Sequence, residues 1–217
     1  MRFAPDSAVS SQSTTVVDYE PAATSGNHDR GLRLIAIVAC VVFLIISATA
    51  KVATYRVNPV FLVPLMWAPY WLRRRLFLMP WQYVMFAFAI LVHDLGAYGF
   101  YQNSPLPFSW DIFVHYYFAV AVTLMLHRAL AMNFPQLRPW QVNVTALLFM
   151  MGFGALHEIM EYMSYLLLGE EKGMLKPHTS YFFDTQRDLT NNLLGALTAL
   201  IIAAVVRRAF ASRRDSG

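Results

Sequence analysis

Long apolar runs, each closed by arginines, prolines or glycines, leave this chain few folds to choose from. About 20 consecutive apolar residues match the hydrocarbon thickness of a bilayer, and a helix crosses it because every backbone polar group is satisfied internally. Of the 217 residues, 57% are hydrophobic and 14% charged, against about 25% charged in soluble domains. The surplus is organised into runs, which is the signature of membrane helices. The sequence therefore predicts an all-α, polytopic membrane helix bundle.

Six spans are expected: Leu32 to about Ala50, Val57 to Leu72, Phe77 to Leu95, Asp111 to Leu130, Val142 to Leu168, and Asp184 to Val206. The second contains Pro59, Pro64 and Pro69, so it is short and kinked; a five-span arrangement would lay it in the interface. Residues 1–29 are rich in Ser, Thr, Ala and Pro and lack the apolar core of a signal peptide, so a disordered N-terminal tail is expected there. A transmembrane domain over 30–208 and a basic cytoplasmic tail over 209–217 complete the division. The single cysteine, Cys40, rules out an intramolecular disulfide and cysteine-based zinc ligation.

Orientation follows from the basic residues. With both termini cytoplasmic, 12 of the 17 Lys and Arg lie on the cytoplasmic side, Arg73, Arg74 and Arg75 among them. The positive-inside rule favours that arrangement, in an inner membrane. The net charge of +4 is small, and no DNA-binding pattern accompanies it, so nucleic acid is not an expected partner.

Against this apolar background, ionisable residues inside spans stand out, since each costs roughly 2.5–3.5 kcal/mol on insertion scales. Asp111 and His115 open the fourth span, Glu158 and Glu161 lie near the end of the fifth, and Asp184 and Asp188 open the sixth. In the expected topology all six fall at the extracytoplasmic end. At about 1.5 Å per residue, His115 and Asp188 lie roughly 6 Å inside their helices and Glu161 roughly 10 Å. Spacing of three or four residues puts each pair on one helix face. Gly195, in line with Asp184, Asp188 and Asn192, would allow a neighbouring helix to approach closely.

Several carboxylates in low dielectric need compensation from protons, an arginine or a metal ion. Arg187 offers one positive charge. Carboxylates with imidazole suit zinc, manganese or iron, and carboxylates alone suit magnesium or calcium. The six residues are thus candidate ligands of a divalent metal ion, with His115, Glu161 and Asp188 at the core. A structural polar network and a proton or ion path are the other two readings. His157-Glu158-Ile159-Met160-Glu161 lacks the second histidine of a zinc-protease motif. Asp184 also suits the N-cap of the last helix. His93-Asp94 and His178 are expected to be solvated, and Trp67, Trp71, Trp81, Trp110 and Trp140 to form an interfacial belt.

Gly96-Ala97-Tyr98 with Pro105, Asp111 with His115, Glu158-Ile159-Met160-Glu161-Tyr162, Asp184-Thr185-Gln186 with Asp188, and Gly195-Ala196 together resemble the bacterial inner-membrane YjdF family, defined by a domain of unknown function. The resemblance covers about residues 90–205. It implies the helical membrane fold and the same choice of site residues. The family's glutamate after the fourth span is absent here, where Arg128-Ala129-Leu130 stands, and His93-Asp94 and His157 are additions to its pattern. The functional expectation is a metal-dependent membrane enzyme hydrolysing a lipid-like substrate. The alternatives are an ion- or proton-coupled transporter and a structural membrane subunit.

Overall fold

The computed structural model of the chain describes residues 26–169 and 181–214. The expected tail over 1–25, the loop over 170–180 with His178, and residues 215–217 lie outside the described residues.

Proline sets where three helices begin. α2 (Pro59–Trp71), α4 (Pro80–Asp94) and α6 (Pro139–Leu168) each carry Pro in the first turn, where the missing N–H leaves nothing unsatisfied and φ is already helical. The other helices are α1 (Gly26–Thr49), the single turn α3 (Arg73–Leu76), α5 (Trp110–Asn133) and α7 (Tyr181–Arg214). Short 3-10 helices at Ala53–Val57 and Leu95–Tyr98 complete the chain, and no strand occurs among the described residues.

Four helices, α1, α5, α6 and α7, are long and apolar enough to cross a membrane. The second and third expected spans fold as α2 and α4, of 13 and 15 residues, roughly 20 and 22 Å long at about 1.5 Å per residue. Each is shorter than a bilayer's hydrocarbon core of about 30 Å. Pro64 and Pro69 lie inside α2, which runs through both, and α4 gives way to a 3-10 turn after Asp94. The chain is thus a multi-pass membrane protein, with four helices long enough to span among the described residues and two shorter apolar ones packed among them.

α1 starts before the expected Leu32, and residues 26–29 belong to it rather than to a tail. Asp29 explains this: it pairs with Arg73 and accepts a 3.1 Å hydrogen bond from the Tyr70 hydroxyl. His28 reaches the Leu78 carbonyl at 3.0 Å. α7 likewise continues to Arg214, so residues 209–214 of the expected basic tail are helical.

Packing follows the helical repeat. On α1, Leu32, Ala36, Ala39, Phe43 and Ile46 are buried while Leu34, Ile37, Val38, Val41, Leu44 and Ile45 face outward. Both faces are apolar, as a helix between a protein core and acyl chains requires. The buried face meets Leu62, Met66 and Tyr70 of α2 and Tyr83, Phe86 and Ile90 of α4. Tyr83 buries its ring but donates a 2.6 Å hydrogen bond to the Met66 carbonyl.

α5 and α7 form the most extensive helix pair. Gly195 makes it possible: a β-carbon there would fall on the Tyr116 carbonyl oxygen and 2.9 Å from Ala119 Cβ. The close approach expected of Gly195 is thus realised, and it fixes the α7 stripe of Asp184 and Asp188 against the α5 face of Asp111 and His115. At the opposite end, Phe77 adopts a left-handed conformation (φ 47°) after α3, and Arg128 donates a 2.9 Å hydrogen bond to its carbonyl. Arg128, in the stretch that lacks the resembled family's glutamate, is a backbone tie.

Candidate metal centre

Two helices supply the first half of the site. His115 on α5 points Nε2 at Asp111 Oδ1, 3.5 Å away and one turn earlier, and at Asp188 Oδ2 of α7, 3.7 Å away. All three residues are buried, Asp188 to 2% exposure. The remaining oxygens of the two carboxylates face Arg187: its Nη2 meets Asp111 Oδ2 and its Nε lies 3.3 Å from Asp188 Oδ1. The same Nη2 is 2.5 Å from Asp184 Oδ1. His115 and Arg187 therefore bridge the same carboxylate pair from its two sides.

α6 supplies the second half. His157 and Glu161, four residues apart, pair at 2.8 Å, and the His157 ring lies 5.7 Å from that of His115. Donor atoms of His115, His157 and Glu161 lie within 4.8 Å of one another, and so do those of Asp111, His115 and Asp188. Either group is compact enough to hold a metal ion, and His115 belongs to both. The core set His115, Glu161 and Asp188 is thus divided, with Glu161 and Asp188 in different groups.

Glu158, also on α6, is 7% exposed and its Oε1 has no hydrogen-bond partner. Asn191 and Asn192 lie buried on α7, with Nδ2 and Oδ1 respectively unpartnered. Buried polar atoms are nearly always satisfied, so each of these orphans marks a missing partner such as water or an ion. Asp184 lies within the first turn of α7, which begins at Tyr181, so it is not the N-cap residue. Its acidity still suits the helix dipole, and its side chain holds Arg187.

The expected solvation of His93-Asp94 is overturned for Asp94. It is fully buried, with Oδ1 accepting a 2.9 Å hydrogen bond from Asn58 Nδ2 and Oδ2 unpartnered. His93 is half-buried, and its Nδ1 lies 2.8 Å from the Tyr101 hydroxyl. Burial pushes the Tyr101 phenol above its ordinary pKa, so the hydroxyl stays protonated. Trp110 is also no member of an interfacial belt: it is buried among Val92, Tyr101 and Val114 and donates a 3.0 Å hydrogen bond to the Val92 carbonyl. Trp71, Trp81 and Trp140 are exposed on the apolar perimeter.

Sequence reasoning placed Asp111, His115, Glu158, Glu161, Asp184 and Asp188 at one end of the bundle and left His157, on the same helix face as Glu158 and Glu161, out of the candidate ligands. The i, i+4 spacing of His157 and Glu161 was the signal for it.

A family model described as a predicted membrane protein, DUF2238, matches residues 31–209. The chain belongs to that family, which is the YjdF family that its residue pattern resembles. No curated protein and no solved structure matches the chain.

Proposed function

We propose that this member of the DUF2238 membrane protein family is a metal-dependent membrane hydrolase acting on a lipid-like substrate. The observation that carries the reading is the buried carboxylate–imidazole–carboxylate arrangement of Asp111, His115 and Asp188, joined through His115 to His157 and Glu161. The donor set fits a divalent ion: imidazole and carboxylate together suit zinc, manganese or iron, and three partnerless polar atoms lie on the α6 and α7 segments beside it.

Asp111, His115 and Asp188 would hold the metal, with His157 and Glu161 as further ligands. A divalent ion held there would supply Lewis-acid chemistry toward an ester or phosphoester group. Arg187 fixes the outer oxygens of Asp111 and Asp188, which leaves their other oxygens directed at His115. Glu158, whose Oε1 is uncommitted, suits the general base that takes a proton from an attacking water. The lipid-like substrate is supported by the site's place at the ends of helices whose outer faces are apolar, including Leu156, Ile159 and Met160 beside Glu158. The other half of the bundle is packed with Leu32, Ala36, Met66 and Leu78, which supports a one-sided site over a transport path.

The test is metal analysis of the purified protein alongside His115→Ala and Asp188→Asn. Stoichiometric metal, lost in both variants, is expected. Metal-dependent release of a headgroup or fatty acid from phosphatidylethanolamine–phosphatidylglycerol vesicles is expected from the reconstituted wild type. A well-folded wild type that takes up no zinc, manganese or iron overturns the reading.

A further inference from the structure

We propose that the centre is binuclear: α6 holds a second divalent transition-metal ion through His157 and Glu161, beside the ion held by Asp111 and Asp188, with His115 between the two. The inference rests on the metal-centre reading above and divides that site's ligands between two ions.

An ion limits how far apart its own ligands can lie. Zinc holds imidazole nitrogen and carboxylate oxygen at about 2.0–2.2 Å, so two donors to one ion are at most about 4.4 Å apart. Donors of Asp111, His115 and Asp188 lie within 4.8 Å of one another, close to that limit, and so do donors of His115, His157 and Glu161. Among the described residues no such compact group combines Asp111 or Asp188 with His157 or Glu161. One ion therefore suits three of these five residues and not all of them. His115 alone belongs to both groups, and an imidazole carries two ring nitrogens. Spacing inside each group is that of neighbouring ligands, which lie roughly 3.4 Å apart on a tetrahedral ion and roughly 2.9 Å apart on an octahedral one. His115 Nε2 is 3.5 Å from Asp111 Oδ1 and 3.7 Å from Asp188 Oδ2. His157 Nε2 is 2.8 Å from Glu161 Oε1, so an ion there would replace the proton the pair shares.

Packing of α6 on α7 places a further buried carboxylate at the same level. A β-carbon at Gly154 would lie 2.6 Å from Asn192 Nδ2, so these two residues abut. One turn towards the site from that contact are Glu158 on α6 and Asp188 on α7. Glu158 is 7% exposed and its Oε1 is unpartnered, and a buried carboxylate oxygen calls for a cation or a water. Charge points the same way. Asp111, Glu158, Glu161, Asp184 and Asp188 bring five carboxylates to one end of three helices, and among the described residues Arg187 is the guanidinium paired with them. Two divalent ions with Arg187 match that formal charge, whereas one ion leaves buried carboxylates to be neutralised by protons. Paired ions are a recurrent device of hydrolytic sites.

The experiment is titration of the purified, detergent-solubilised full chain, stripped with a chelator, with manganese(II) chloride and in parallel with zinc chloride, for wild type, His157→Leu and Glu161→Gln. Size-exclusion profiles establish that each variant is folded. Two equivalents per chain are expected in the wild type and one in each variant. Electron paramagnetic resonance of the manganese form reads the pairing. Neighbouring manganese ions are expected to broaden each other's signal in the wild type, and the resolved hyperfine pattern of an isolated ion is expected in His157→Leu. A wild type that binds a single equivalent, or variants at His157 and Glu161 that still bind two, overturn this inference and leave the metal centre standing. A wild type that binds no zinc, manganese or iron overturns both. If His157→Leu fails to fold, Glu161→Gln decides, since it keeps the size of the side chain and removes its charge.

Discussion

Asp111 of α5 and Asp188 of α7 face each other across the tightly packed α5–α7 pair, each turning one oxygen to His115 Nε2 and the other to Arg187. Two buried carboxylates can stand this close because a cation lies on one side and a polar ring on the other. Removing either flank should therefore be felt in stability before any chemistry is considered.

Arg187→Gln is expected to destabilise the metal-free protein by about 3 kcal/mol, because it strands buried carboxylates without a counter-charge. Adding Asp111→Asn to Arg187→Gln should recover part of that loss, since one of the stranded charges is then gone. Thermal unfolding of the two single variants and the double variant in detergent reads the coupling. Strictly additive losses would show that the two side chains do not interact.

Gly195 and Gly152 offer a matched pair of glycine substitutions. Gly195→Ala forces its β-carbon onto the Tyr116 carbonyl and Ala119, so α5 and α7 must separate. A loss of about 1–3 kcal/mol is expected from such overpacking, together with weaker metal binding as Asp188 moves from His115. Gly152→Ala on α6 meets nothing within 4 Å and should raise stability by about 0.5–1 kcal/mol through helix propensity. Melting temperatures of the two variants check both signs, and a Gly195→Ala variant as stable as the wild type would contradict the close crossing.

Orientation is testable with the lone cysteine removed. In a Cys40→Ala background, Asn103→Cys lies in the exposed turn at the site's end of the bundle, and Gln136→Cys in the exposed turn between α5 and α6 at the other. Charge distribution predicts that a membrane-impermeant maleimide labels the first in intact cells and the second only after permeabilisation. The reverse pattern would place the polar site on the cytoplasmic side.

The candidate site was legible in sequence as far as single helices carry it. Asp111 with His115 and His157 with Glu161 are i, i+4 pairs, and both pairs form ion-pair contacts, because helical periodicity alone brings such residues together. The shortness of α2 was legible in its prolines, whereas that of α4 was less so: the helix starts only at Pro80 and ends at Asp94, because the apolar residues 77–79 before Pro80 form a turn, and hydropathy does not register length lost to backbone geometry.

Sequence by itself determined that this is a helical membrane protein, where α5, α6 and α7 run, and which acidic residues lie near one end of them. Those properties follow from hydrophobic run length and the helical repeat, which are local. Tertiary structure decided that His115 is shared between two groups of donors, that Arg187 takes the outer oxygens of Asp111 and Asp188, and that Asp94 and Trp110 are buried. These depend on the rotation and separation of one helix against another, set at contacts such as Gly195 on Tyr116 and Trp110 on Val92. Membrane helices pack through shape and hydrogen bonding rather than through the exclusion of water, so their mutual orientation leaves little trace in the pattern of apolar residues.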